Sequence, residues 1–317
     1  MWQKKQTKLL NEEIESFLSP ISDTIDLYEL IKNALTQSKS GPATKNSIGR
    51  PWPLLPLLVC EAISGQYEQA LPIAAALQLL KAAGDVFDDI EDADSYESIS
   101  YRYGAALATN TATTLLILAE KAIARLKKRG IEDHVIVVVM DIINSFFSIA
   151  CIGQHLDLSI ASNININEDS YLKITGMKSA SQIECACQVG ALLATDNQEL
   201  INTLTIFGYN LGMASQITND IQGITLGNDI INRKVTLPVI YAISQTEGDV
   251  HDKLKLAFRK ESQYKPDPVE IRDLLFRTGA IHYSTIKMEY YKLQAQERIS
   301  RASSIGANVE KLKKFLE

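Results

Sequence analysis

Cysteine is scarce in this chain, with four residues (Cys60, Cys151, Cys185 and Cys187) among 317. That is too few for a disulfide scaffold, and the Cys-x-Cys pair lacks companions at zinc-site spacing. Basic side chains are outnumbered 32 to 38, a formal net charge of -6. A general nucleic-acid binder needs the opposite balance to neutralise phosphates. Long apolar runs are missing as well: Leu71–Leu80 is interrupted by Gln78, well short of a membrane span. The N-terminal residues lead into Asn11-Glu12-Glu13 and not into an apolar segment, so no signal peptide is visible. Reduced thiols and a cytoplasmic, soluble protein without a transmembrane segment are expected.

Proline is absent between Pro72 and Pro238. Interior prolines break helices, so the middle of the chain is free to form long ones. Strand-and-hairpin alternation is also lacking. What the chain has in quantity is apolar residues at helical spacing, for example Ile73, Leu77, Leu80, Ala83, Val86, Phe87 and Ile90. Segments 71–90, 103–129, 132–161, 168–195, 198–226, 233–246 and 269–302 read as helices. The expected organisation is all-α, one domain over 1–317, a bundle of roughly ten helices. Within it lie N-terminal helices over 1–35, a Ser/Gly/Lys/Thr-rich loop over 37–50 and the main bundle over 52–305. The polar stretch 91–100 reads as a second loop.

The strongest local signal is Gly84-Asp85-Val86-Phe87-Asp88-Asp89-Ile90-Glu91-Asp92-Ala93-Asp94, which closes an apolar helix. Asp88 and Asp92 share a face, where like charges repel, and acids are unfavourable near a helix C-terminus. A hard divalent cation would remove the penalty; Mg²⁺ is usually held by one or two carboxylates plus substrate phosphates. A solvated acidic helix end explains the same residues. A second polar stripe, Gln216, Asn219, Asp220 and Gly223, interrupts the apolar segment 198–226. Beyond it, Arg233 and Lys234 stand where diphosphate oxygens would want cations. Gln154, His155 and Asp157, then Lys178 and Ser179, place polar groups inside otherwise apolar helices.

In this order, the set resembles the trans-isoprenyl diphosphate synthases, from about Gly49 to Tyr241. The first aspartate-rich motif of that family matches Asp88-Asp89-Ile90-Glu91-Asp92. The resemblance implies an all-α bundle around a deep central cavity, a homodimer, and three Mg²⁺ ions that hold the diphosphate of an allylic prenyl substrate. It implies Asp88 and Asp92 as Mg²⁺ ligands with Asp89 in support, and Asn219 and Asp220 as ligands from the second motif. Lys178, Lys234, Arg233 and Arg50 would bind diphosphate, with Gln154 and Gln216 lining the site. Ala83 and Gly84, small residues one turn before the first motif, would leave room for a farnesyl chain or longer.

Departures from the family pattern carry as much information. The Gly-Gly-Lys-Arg-x-Arg-Pro segment that seats isopentenyl diphosphate falls with its lysine at Gly49 and its last arginine at Trp52. The histidine one turn upstream of the first motif is Lys81, and the arginine pair after it falls at Glu97 and Ser98. In the second motif, Asn219 replaces the first aspartate and Gly223 the last. These changes are expected to disfavour ordinary elongation with isopentenyl diphosphate. Two branches keep the ionising half: ComQ-type transferases, which prenylate a peptide tryptophan, and terpene synthases of this fold. The resemblance to ComQ includes Gly153-Gln154-His155 and Val189–Thr195. It favours transfer to a peptide or small-molecule acceptor over cyclisation, with Trp52 a candidate to stack on the acceptor. A non-catalytic regulatory subunit is the remaining alternative.

Overall fold

The computed structural model describes residues 2–37, 52–92, 97–160, 163–260 and 262–316. Among them there is no strand. In chain order the helices are α1 (Trp2–Leu18), α2 (Ile25–Gln37), α3 (Leu55–Ser64), α4 (Leu71–Asp92), α5 (Ile99–Tyr103) and α6 (Ala105–Ala124). They continue with α7 (Asp133–Ile160), α8 (Glu168–Thr175), α9 (Ser181–Leu192), α10 (Gln198–Leu226) and α11 (Asn228–Ile231). The last are α12 (Leu237–Gln245), α13 (Gly248–Phe258), α14 (Pro268–Arg277), α15 (Ala280–Ser304) and α16 (Glu310–Leu316). The helical class is as the periodicity implies, with some of the expected segments split into shorter helices.

The breaks have local causes. The expected helix over 269–302 is two helices, because Gly279 adopts φ 77°, a left-handed conformation that ends α14. The segment 103–129 gives up its α-helix at Ala124, and Arg125–Arg129 tighten into a 3₁₀ turn. Between α8 and α9 the chain widens into a π-helix over Gly176–Ala180. Such bulges frequently mark functional positions, and Lys178 lies at the centre of this one.

The chain divides into two compact units. Unit 1 comprises Met1–Asn144, Cys185–Thr205 and Ile299–Glu317. Its central rod is α4, which packs against α1, α2, α3 and α6. Ala74, Ala75, Ala76, Ala82 and Ala83 of α4, and Ala108, Ala112, Ala119 and Ala122 of α6, are fully buried. Small side chains on both rods let the helix axes approach closely. Leu57, Leu58, Leu77 and Leu79 fill the flanks with no exposed surface to speak of, each contributing about 1.5–3 kcal/mol. The C-terminal segment is tied to α3 by Asn308 N donating to Ala62 O at 2.7 Å and by the Lys311–Glu61 ion pair.

Unit 2 comprises Ser145–Glu184 and Ile206–Arg298. Ile224, Ile230, Val239, Leu254, Phe258, Ile271 and Leu275 form one apolar cluster, and Tyr171, Ile217, Leu237 and Ile240 form a second. Gly153 permits the closest helix contact: a Cβ there would lie 2.4 Å from Lys178 N and 2.8 Å from Lys178 Cα.

Two helical stretches, Glu68–Asp92 and Asp133–Ile160, are long and apolar enough to cross a membrane by length and composition. Single polar residues such as Gln78 and Asp141 interrupt the apolar runs in both. The most apolar window of the first is 72% buried, as a core helix should be, whereas that of the second is only 22% buried. All four cysteines are free thiols.

Candidate active site

On α4, Gln78, Lys81, Asp85, Asp88 and Asp92 follow alternating steps of three and four residues and so share one face. Lys81 Nζ bonds Asp85 Oδ2 at 2.7 Å, giving the stripe one cation against three acids. Asp88, Asp89 and Asp92 are half-buried. Ser100 Oγ donates to Asp89 O at 3.2 Å, tying the motif to the N-terminus of α5. Ser98, at the place of a family arginine, is buried, and its hydroxyl caps α5 by accepting from Tyr101 N.

These residues fit a hard divalent cation. The donors are carboxylate oxygens four residues apart on a half-buried face. Gly84, one turn before Asp88, leaves open space where a Cβ would stand. No group of three or more His, Cys, Asp or Glu among the described residues forms a cage. Mg²⁺ does not need one, since it keeps waters and substrate phosphates as ligands.

Beside the Gln78–Lys81 end of the stripe, α1 and α2 border a half-open pocket of about 310 Å³, with Leu10, Glu15, Lys32 and Leu54 in its walls. Both of its lysines have carboxylate partners: Lys81 has Asp85, and Lys32 has Glu15.

Unit 2 holds the other polar stripe. Tyr171 OH donates to Asp220 Oδ2, and Gln216 Nε2 donates to Asp220 Oδ1 at 2.9 Å. Ser179 Oγ donates to Gln216 Oε1 at 3.1 Å, which connects α10 to the π segment. Burial pushes the Asp220 carboxyl up to about 7; the bonds from Tyr171 and Gln216 oppose this, and the charges of Asp229 and Asp157 add to it. A divalent cation would reverse the balance by favouring the charged form. Asp220 is thus a buried anchor of the stripe, and Asn219 is its exposed member. Lys178 Nζ meets Asp157 Oδ2 at 2.7 Å, and Gln182 Nε2 takes up Lys178 O at 2.7 Å. Gln154 and Lys234 are half-buried.

Two of the expected site residues have structural contacts of their own. The Arg233 guanidinium is turned onto Arg259 O and Tyr264 O, while its own φ is 53°. It pins the loop before α14, a fixed structural role that offsets a backbone strain of roughly 1–3 kcal/mol. Ala83 is fully buried in the unit 1 core, so of the small pair only Gly84 adjoins open space. Arg50 and Gly49 lie outside the described residues.

One acid that the sequence reading passed over is Glu184, whose carboxyl burial pushes up to about 7. Its folded value lies above the ordinary 4.5, so its contribution to stability is complete below that pH and is lost as pH rises through 7. In thermal melts, Glu184→Gln is therefore expected to show a smaller fall in Tm between pH 5 and pH 8 than the unaltered chain. An unchanged slope would refute the assignment.

A family model described as Polyprenyl synthetase matches residues 50–273. The chain belongs to that family. It is an enzyme, and the family's chemistry is prenyl transfer. The geranylgeranyl diphosphate synthase of Sulfolobus acidocaldarius is 27% identical, over 97% of this chain and 93% of its own length. Tryptophan prenyltransferase ComQ of Bacillus subtilis subsp. natto is 26% identical, over 71% of this chain and 68% of its own. Among solved structures, the geranylgeranyl pyrophosphate synthetase of Pyrococcus horikoshii superposes with a TM-score of 0.83 at 26% identity, covering 99% of this chain and 96% of that one. The Corynebacterium glutamicum geranylgeranyl pyrophosphate synthase, complexed with isoprenyl diphosphate and magnesium, shares the fold at a TM-score of 0.78 and 18% identity, over 93% of this chain and 92% of that one.

Proposed function

We propose that this polyprenyl synthetase family member ionises an allylic prenyl diphosphate of farnesyl length or longer and passes the prenyl group to an acceptor other than isopentenyl diphosphate. The observation that carries this reading is the pocket beside the Lys81 end of the α4 stripe. Among the described residues that line it, the two lysines are already matched by carboxylates. A second diphosphate brings several negative charges and needs an excess of cations. Gly49, Glu97 and Ser98, at positions where elongating relatives carry cations, point the same way.

Asp88 and Asp92 would hold Mg²⁺, which when bound offsets the charge that develops on the departing diphosphate. By the family resemblance, Lys178 and Lys234 would contact the diphosphate. The C1–O bond breaks with its electron pair leaving on the diphosphate. An electron pair of the acceptor forms the new bond to C1, and the acceptor's proton passes to the released diphosphate or to solvent. An apolar, water-poor pocket of the kind the family resemblance implies would delay capture of the cation by water.

A tryptophan-bearing peptide is the acceptor best supported, through the similarity to ComQ. The exposed apolar face of α7, with Val137, Val138, Ile149, Ile152 and Leu158, suits a second copy of the chain in a homodimer. Four free thiols suit the cytoplasm.

Product analysis by mass spectrometry tests the reading, using allylic diphosphates from C10 to C20 with Mg²⁺, with and without isopentenyl diphosphate and a tryptophan-containing peptide. The expected outcome is diphosphate release coupled to a prenylated peptide, with no product longer by five carbons. A C5 homologue would overturn the reading in favour of elongation, and a hydrocarbon or alcohol from one substrate alone would overturn it in favour of cyclisation.

A further inference from the structure

Gly223 stands four residues beyond Asn219, where the resembled motif carries its last aspartate. A Cβ at Gly223 would come within 2.2 Å of Asp229 Oδ2, 2.4 Å of Asp229 Cγ and 2.6 Å of Asp229 Oδ1. The space that a side chain at 223 would fill therefore already contains a carboxylate, delivered from a different position in the chain.

The delivery is local and specific. After α10 ends at Leu226, Gly227 turns the chain with φ 88°, and Asp229 falls in the first turn of α11. Lys234 N donates to Asp229 O at 2.8 Å, which fixes the backbone on the far side of the turn. The turn thus returns a carboxylate to the last turns of α10 despite the gap at 223.

We infer that Asp229 supplies the second-motif carboxylate that position 223 lacks, and helps to hold a divalent cation, with its water shell, alongside Asn219. The inference rests on the metal-dependent reading given above. It also explains the glycine: any larger residue at 223 would drive Asp229 out of place.

Asp229→Asn keeps the volume and removes the charge, so a purely packing role would survive it. The test is Mn²⁺ binding in the presence of inorganic diphosphate, followed by electron paramagnetic resonance of free Mn²⁺, with folding checked by thermal melts. Asp229→Asn is expected to weaken Mn²⁺ binding by about ten-fold or more without loss of fold. The double variant Gly223→Asp/Asp229→Gly, which moves the carboxylate back onto α10, is expected to recover most of that loss.

Unchanged Mn²⁺ binding in Asp229→Asn would overturn the inference, as would a folded double variant that recovers nothing. Asp88→Asn separates the two readings. If it weakens binding while Asp229→Asn does not, the inference falls and the metal-dependent function stands. If neither variant changes binding, both fall.

Discussion

Asp88→Ala is expected to lower Mg²⁺-dependent release of diphosphate from farnesyl or geranylgeranyl diphosphate by at least about a hundred-fold, the scale of losing one preorganised electrostatic contact in an active site. The reason lies in the α4 stripe. Asp88 is half-buried between Asp85, which is matched to Lys81, and Asp92 one turn on. Alanine suits the helix, so the fold should be kept. Loss of turnover together with an unchanged or raised Tm would be the signature of a residue retained for its ligand. A drop of less than about five-fold in release, measured with a coupled diphosphate assay, would place the chemistry elsewhere.

The largest expected effect on stability comes from Gly153→Ala. In an open helix interior this exchange stabilises by up to about 1 kcal/mol. Here the new Cβ would sit 2.4 Å from Lys178 N and 2.8 Å from the Met177 carbonyl carbon, against backbone that has no rotamer to escape into. We expect a net loss of about 2 kcal/mol or more, the upper part of the usual overpacking range. The strain falls on the π segment that carries Lys178 and Ser179, so affinity for inorganic diphosphate should fall as well. Gly84→Ala is the control: nothing lies within 4 Å of its added Cβ, and its Tm should hold or rise. Equal melting behaviour of the two variants would show that the contact at Gly153 relaxes without cost.

Much of this was legible in the sequence, for identifiable reasons. Helical spacing and the proline-free middle of the chain pointed to the all-α class, because both act through local geometry. The stripe from Lys81 to Asp92 and the Gln216–Asp220 hydrogen bond follow directly from three- and four-residue steps on a helix. Features that depend on contacts distant in sequence, or on backbone conformation, stayed hidden. The φ of 53° at Arg233 and its two carbonyl partners are not visible in the sequence, where it reads only as a neighbour of Lys234. Asp229 escapes notice because its value depends on a missing side chain at Gly223 and on the turn at Gly227 that folds one onto the other. The close alanine-rich packing of α4 on α6, which buries Ala83, depends on contacts between the two helices and is likewise not visible in the sequence.

The most direct test of the central claim, one diphosphate seat and no second, is a calorimetric titration. The chain is first saturated with Mg²⁺ and a non-ionising thio-analogue of farnesyl diphosphate, and isopentenyl diphosphate is then added. The predicted result is one equivalent of the analogue bound per chain and no saturable uptake of isopentenyl diphosphate. Stoichiometric, Mg²⁺-dependent binding of isopentenyl diphosphate to the filled chain would contradict it.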